Sequence, residues 1–224
     1  IEFISARWGH LLNINRPIWH GRMNLFKSSI GELECPVQDA GLFIDGSFIP
    51  ICKPSNTDAE KAFYNGYYHK HGVKIQAVTS PDGMIVDLRG PFPGAVHDLT
   101  MLRASDFLED FERFHRATRT LILGDKAYLG GHELISTPKR LNSTNYSAVW
   151  NKKISECRIG VEWSFQILKT RFKLLSIHKE LKIGRSNISK IITCSALFTN
   201  FSICFYNAGT VSSYFHVVPP TIFE

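Results

Sequence analysis

The chain has little that cysteine chemistry could organise. Its five cysteines, Cys35, Cys52, Cys157, Cys194 and Cys204, are odd in number and form no C-x-x-C pair. That excludes a recognisable disulfide framework or zinc signature, and they read as free thiols in a reducing compartment. Long apolar runs are missing as well. The longest, residues 191–206, is interrupted by Thr193, Ser195, Thr199, Asn200 and Ser202, whereas a bilayer span needs about 20 predominantly apolar residues. A buried core helix is expected there, and no membrane partner. There is no internal repeat and no low-complexity linker. The chain opens on Ile1 with no charged-then-apolar leader, so no signal peptide is expected. It also opens without Met, which leaves a fragment of a longer protein as an open reading.

What is present is ordinary for a soluble globular protein: 224 residues, 44% hydrophobic and 21% charged. That length suits one domain with a proper core. The net charge of +6 is unevenly spread, because residues 139–190 hold 12 Lys and Arg against 3 acids. This stretch suits a polyanion surface. A solvated helix face accounts for the same charges equally well, so more specific residues have to decide.

Residues 1–40 carry two weak helical stretches and read as a lead-in, with the domain proper over 41–210 and a tail over 211–224. Leu42-Phe43-Ile44 predicts a buried strand that ends at Asp45-Gly46. Residues 73–79 and 84–88 alternate on either side of Ser80-Pro81-Asp82-Gly83. They predict a hairpin, broken by Gly90-Pro91-Phe92-Pro93-Gly94. Residues 98–107 predict a helix with Asp98 available as its N-cap. Residues 120–123 predict another buried strand ending in Gly124-Asp125, and residues 130–148 a loop. Over 154–175, Ile154, Cys157, Val161, Phe165, Leu168, Phe172 and Leu175 recur every three or four residues, which marks a helix with one buried stripe. A last helix is expected from Ser186-Asn187 to about Phe205. Strands and helices in this order make an α/β layered domain.

Four acids carry the chemistry. Asp45 and Asp125 each end a predicted strand, where functional groups converge in α/β sheets, although each is also an ordinary turn residue. Glu162 lies at the edge of the buried stripe of the basic helix, with Arg158 four residues earlier as an ion-pair partner. Helix capping is a sufficient explanation for Asp98. Together, two strand-end Asp and a helical Glu can gather oxygen ligands around hard divalent cations. Two such ions about 4 Å apart activate water, or a 3′-hydroxyl, and stabilise the leaving oxygen of a phosphoryl displacement. Arg158, Lys169, Arg171 and Lys173 would flank such a site and hold a nucleic-acid backbone. His69 and His71, within Tyr67-Tyr68-His69-Lys70-His71, read as surface residues rather than zinc ligands.

The segments IDGSFIPICKPS, PGAVHDLTMLRASD, LILGDKAYLG and RIGVEWSFQILKTRFKLL follow one another in order. Over residues 41–175 the chain resembles the DDE endonuclease domain of Harbinger-type transposases and their domesticated nuclease relatives. The resemblance implies an RNase H-like α/β fold, with a mixed sheet flanked by helices. It also implies DNA strand cleavage and transfer with Mg²⁺ or Mn²⁺. Carried over by position, it assigns Asp45, Asp125 and Glu162 as catalytic, metal-binding acids and Asp98 as a further metal-site acid. It implies a nuclear protein with a separate Myb-like DNA-binding partner, and leaves a homo-oligomer open.

Two positions depart from the family pattern. Lys126 replaces a small residue after the second Asp, where its ammonium would compete with a cation, point away or contact phosphate. Phe165-Gln166 stands where the family has an aromatic-Gly pair. The family's N-terminal DNA-binding helices are not visible in the first 40 residues. Two other readings stay open: a domesticated, weak or inactive descendant that binds DNA or a protein, and an RNase H-like enzyme acting on RNA or RNA–DNA hybrids.

Overall fold

The computed structural model describes residues 1–138, 145–177, 180–207 and 209–221. Two helices open the chain, α1 (Glu2–Trp8) and α2 (Pro17–Glu32). Next come β1 (Ala40–Pro50), α3 (Thr57–Phe63), the short β2 (Tyr64–Asn65), β3 (Lys70–Thr79) and β4 (Ile85–Pro93). The chain continues through α4 (Asp98–Ala104), α5 (Phe107–Thr118), β5 (Leu121–Leu123) and β6 (Ile135–Ser136). It ends in α6 (Asn145–Arg171), α7 (Ile188–Tyr206) and α8 (Thr210–Tyr214).

One mixed sheet organises these elements. β1 pairs antiparallel with β3 and parallel with β5. β3 pairs antiparallel with β4, and β6 lies parallel beside β5. The unbroken apolar run Leu42-Phe43-Ile44 is fully buried, as a strand covered on both faces requires. α2 packs on β1 and buries Trp19, Met23, Phe26 and Ile30. α6 packs on β1 and β3 and buries Ile154, Cys157, Val161 and Leu168. Phe215, just past α8, meets Phe43 with ring centroids 5.4 Å apart. The stretches read as lead-in and tail therefore both pack on this sheet. The architecture is the RNase H-like mixed sheet flanked by helices.

Several expectations need correction. β1 does not stop at Asp45-Gly46, because Asp45 to Pro50 go on pairing with Ala77 to Gly72 of β3. It is β5 that stops. Its pairing with β1 ends at Phe43 opposite Leu123, so Asp45 and Asp125 each lie two residues beyond the last pair. β4 likewise runs on through Pro91 to Pro93, with register shifts on the way; an edge strand tolerates proline on its unpaired side. α6 begins at Asn145 rather than near Ile154 and ends at Arg171. Part of the expected 130–148 loop is thus helix, and residues 139–144 lie outside the described residues. α5 and β6 were not anticipated. α5 buries Phe107, Phe111 and Phe114 on one face.

α7 turns only one face inward, with Ile188, Ile192, Ala196 and Ile203 buried. Phe198, Phe201 and Phe205 are exposed on the other, although by length and apolarity α7 meets the requirement for a membrane span. The polar Asn200 within this run is explained by docking. Its side chain brackets the backbone of Ile85, donating to the carbonyl and accepting from the N–H, both at 2.8 Å.

Candidate active site

The continuity of β1 carries Asp45 into the middle of the sheet rather than to its rim. Its Oδ1 accepts the Gly46 N–H at 2.7 Å, and its Oδ2 accepts Arg158 Nη2 at 3.2 Å. Burial pushes the Asp45 carboxyl up to about 6. The Arg158 guanidinium opposes that rise, while the nearby charges of Asp125 and Asp98 add to it. Three carboxylates from separate elements therefore share one electrostatic neighbourhood.

Asp125 combines a turn role with its place in this cluster. It caps the 3₁₀ turn Lys126–Tyr128, with Oδ1 accepting the Ala127 N–H at 2.9 Å. Lys126 is exposed and forms no ion pair among the described residues. Asp98, in contrast, is not the cap of α4. His97 takes that position, and Asp98 is the first helical residue. Its carboxylate binds the Lys74 ammonium of β3, which also donates to the Val96 carbonyl at 3.1 Å. The capping explanation is therefore replaced by an ion pair that staples the start of α4 to the sheet. Gly46 makes room for it: a Cβ there would come within 2.7 Å of Asp98 Oδ1.

On α6 the expected Arg158–Glu162 pair does not form. Arg158 is buried and reaches across to Asp45. Lys169 is held below its usual proton affinity by burial, with the Asp45 charge opposing. Arg158, Glu162 and Lys169 fall on one helical face, so Glu162 lies between two cations that sense Asp45, and it is exposed. Arg171 faces elsewhere and donates to the Thr199 carbonyl of α7 at 3.3 Å. Lys173 is exposed in the 3₁₀ turn Lys173–Leu175. Among the described residues, no three His, Cys, Asp or Glu side chains stand close enough to hold a metal ion together. Asp98 and Asp125 thus both act on Asp45 through their charge, but the three do not close into a metal cage.

One residue escaped the sequence reading. Tyr128 is fully buried, with its hydroxyl 3.5 Å from Gln76 Oε1. Burial first, then Asp98, Asp45 and Asp125, holds its phenol proton well above the usual range. Its only signal was its place three residues after Asp125 in GDKAY.

The mixed sheet flanked by helices, with a half-buried Asp on its central strand and a second Asp just past the neighbouring parallel strand, fits the RNase H-like class. The family model of the DDE superfamily endonuclease matches residues 44–200, a span that includes all four acids. The chain belongs to that family. No curated protein and no solved structure shows a significant match.

Proposed function

We propose that the protein cuts DNA strands by divalent-metal-dependent phosphoryl transfer, as a Harbinger-type member of its superfamily. The observation that carries this reading is the cluster around Asp45. A desolvated carboxylate pushed to about 6 beside two further acids stores electrostatic repulsion, which a fold gathers at sites that work with charge. The donors fit a hard cation, since the cluster offers carboxylate oxygens and no thiolate or imidazole. Mg²⁺ or Mn²⁺ held by Asp45, Asp125 and Glu162, with Asp98 beside them, would polarise the phosphoryl oxygens and acidify a water.

The chain's own groups prepare that chemistry. The Gly46 N–H and the Arg158 guanidinium fix the Asp45 carboxylate, one at each oxygen. Lys169 holds positive charge beside Asp45, where it can meet a substrate phosphate. By inheritance from the resemblance, the protein is also proposed to act in the nucleus, with a separate Myb-like DNA-binding partner and as a homo-oligomer. One observation supports a second reading, a domesticated DNA-binding descendant: Arg158 and Lys74 already neutralise Asp45 and Asp98.

Cleavage of a DNA duplex with Mg²⁺, Mn²⁺ or EDTA separates the two. Strand scission is expected with either metal and not with EDTA. Asp45→Ala, Asp125→Ala and Glu162→Ala should each lower it on the order of 10²-fold or more. Cleavage that survives EDTA or all three changes would remove the mechanism. DNA binding without cleavage would favour the descendant.

A further inference from the structure

Beside the acid cluster lies a feature that strand cleavage itself leaves unused. Between β2 and β3 the chain turns through Gly66, Tyr67, Tyr68 and His69, the last in the left-handed region at φ 51°. Asn65 fixes this turn. Its Oδ1 accepts the N–H groups of Tyr67 and Tyr68 at 3.0 and 3.1 Å, and its Nδ2 donates to the Gly94 carbonyl at 2.7 Å. The Tyr68 ring lies stacked on Phe48 of β1, with centroids 4.6 Å apart and planes at 19°. Tyr67 meets Tyr68 edge-on at 4.9 Å. Phe48 is buried, yet Tyr67 is 85% and Tyr68 48% exposed. The rings are thus presented to solvent on a pinned backbone.

A concavity of about 210 Å³ opens here, walled by Phe48, Tyr68 and Pro50 and by the side chains of Lys70 and Lys169. No acid lines it. It adjoins the catalytic acids, because Tyr68 senses the charges of Asp45 and Asp98, and Lys169 that of Asp45.

We infer that this platform receives one unpaired DNA base next to the phosphate to be cut. The base stacks on the tyrosines, and its flanking phosphates meet Lys70 and Lys169. An aromatic face stacks on any base without reading sequence, and an ammonium takes phosphate as a point charge. Bases inside a duplex are stacked on each other and cannot offer a face to a ring, so the base has to be single-stranded or flipped out. An apolar peptide would leave both ammonium groups without counter-charge. The inference rests on the nuclease reading for the position of the phosphate.

The test is binding of the whole chain to labelled oligonucleotides in EDTA. The probes are a blunt duplex, the same duplex with one unpaired base, and that duplex with an abasic spacer in place of the base. The unpaired base is expected to tighten binding on the order of tenfold, and the spacer to abolish the gain. Tyr67→Ala and Tyr68→Ala should abolish the gain, read as the ratio to each variant's own blunt-duplex affinity, and Tyr68→Phe should keep it. Tyr67→Ala removes a side chain that already lies in solvent, so its effect does not depend on folding. A gain that survives the spacer, or both alanine variants, overturns the inference. Equal binding to all three probes overturns it and leaves the nuclease reading standing; binding to none overturns both.

Discussion

Two constellations of acids and arginine are built into the same sheet, and they are finished differently. At the β4 edge, Asp87 accepts Arg89 Nε at 2.7 Å, Arg89 Nη2 at 3.0 Å and the Ile14 N–H at 3.1 Å. Asp110 accepts Arg89 Nη2 at 2.7 Å and the side-chain amides of Asn13 and Asn15 at 3.3 and 3.0 Å. Burial works against the Arg89 charge, but these two acids hold its proton more firmly than usual. At the centre, Asp45 has one backbone N–H and one arm of Arg158. The Arg158 Nε is buried and finds no partner among the described residues. Burial raises both Asp45 and Asp87, so burial alone does not separate a structural acid from a functional one. Saturation does. A network in which each carboxylate oxygen and each guanidinium donor is taken ties elements together, whereas the central one gives Asp45 a single partner at each oxygen and leaves the Arg158 Nε short of one, which keeps capacity for a ligand.

The contrast can be broken in three ways, beyond the loss of cleavage expected at the central acids. Asp87→Ala should have the largest effect on stability, about 3 kcal/mol, because it removes a buried carboxylate, leaves the Ile14 N–H without its acceptor and leaves the half-buried Arg89 with Asp110 alone. Urea unfolding would show it, and cleavage per folded molecule should persist. A smaller change would move this network to the surface-pair class.

The second test uses pH. The Asp45 carboxyl lies at about 6 in the folded protein against a reference value of 3.8, so the folded state binds this proton more tightly. Its contribution to stability is fully present below the reference value and is lost as pH rises through about 6, to the extent of roughly 2–3 kcal/mol. Asp82 and Asp87 are also raised by burial. The readout is therefore the difference between the wild type and Asp45→Asn, followed from pH 4 to 7. A flat difference would mean that Asp45 is not desolvated in solution.

Asp98→Asn gives the smallest effect and decides on which side of the contrast Asp98 falls. Weakening the Lys74 pair should cost about 1 kcal/mol in chemical unfolding with most cleavage retained. A cleavage loss as deep as that of Asp45→Ala would instead place Asp98 among the working acids.

Much of this was legible in the sequence because it is local. The 73–88 hairpin follows from alternation around Pro-Asp-Gly, and Asn187 caps α7, its side chain accepting the Lys190 N–H at 3.3 Å. The stripe from Ile154 to Leu168 gave α6 its inward face. What was misread was non-local. Asp45-Gly46 has the composition of a turn, and only pairing with β3 keeps it extended. Arg158 has Glu162 one turn away in sequence, yet it binds a residue from another element. α5 shows its pattern plainly in Phe107, Phe111 and Phe114, but the helix expected over 98–107 runs across Ser105-Asp106, where the structure separates α4 from α5.

The sequence by itself determined the layered α/β character, the order of the elements and the identity of the acids, because periodicity, turn chemistry and motif order are properties of neighbouring residues. Only the tertiary structure decided how those acids are used. Desolvation at the sheet centre, the early end of β5 opposite β1 and the reach of Arg158 and Lys74 depend on distances between segments far apart in the chain. Those distances set the charge state of Asp45, and no spacing along a sequence encodes them.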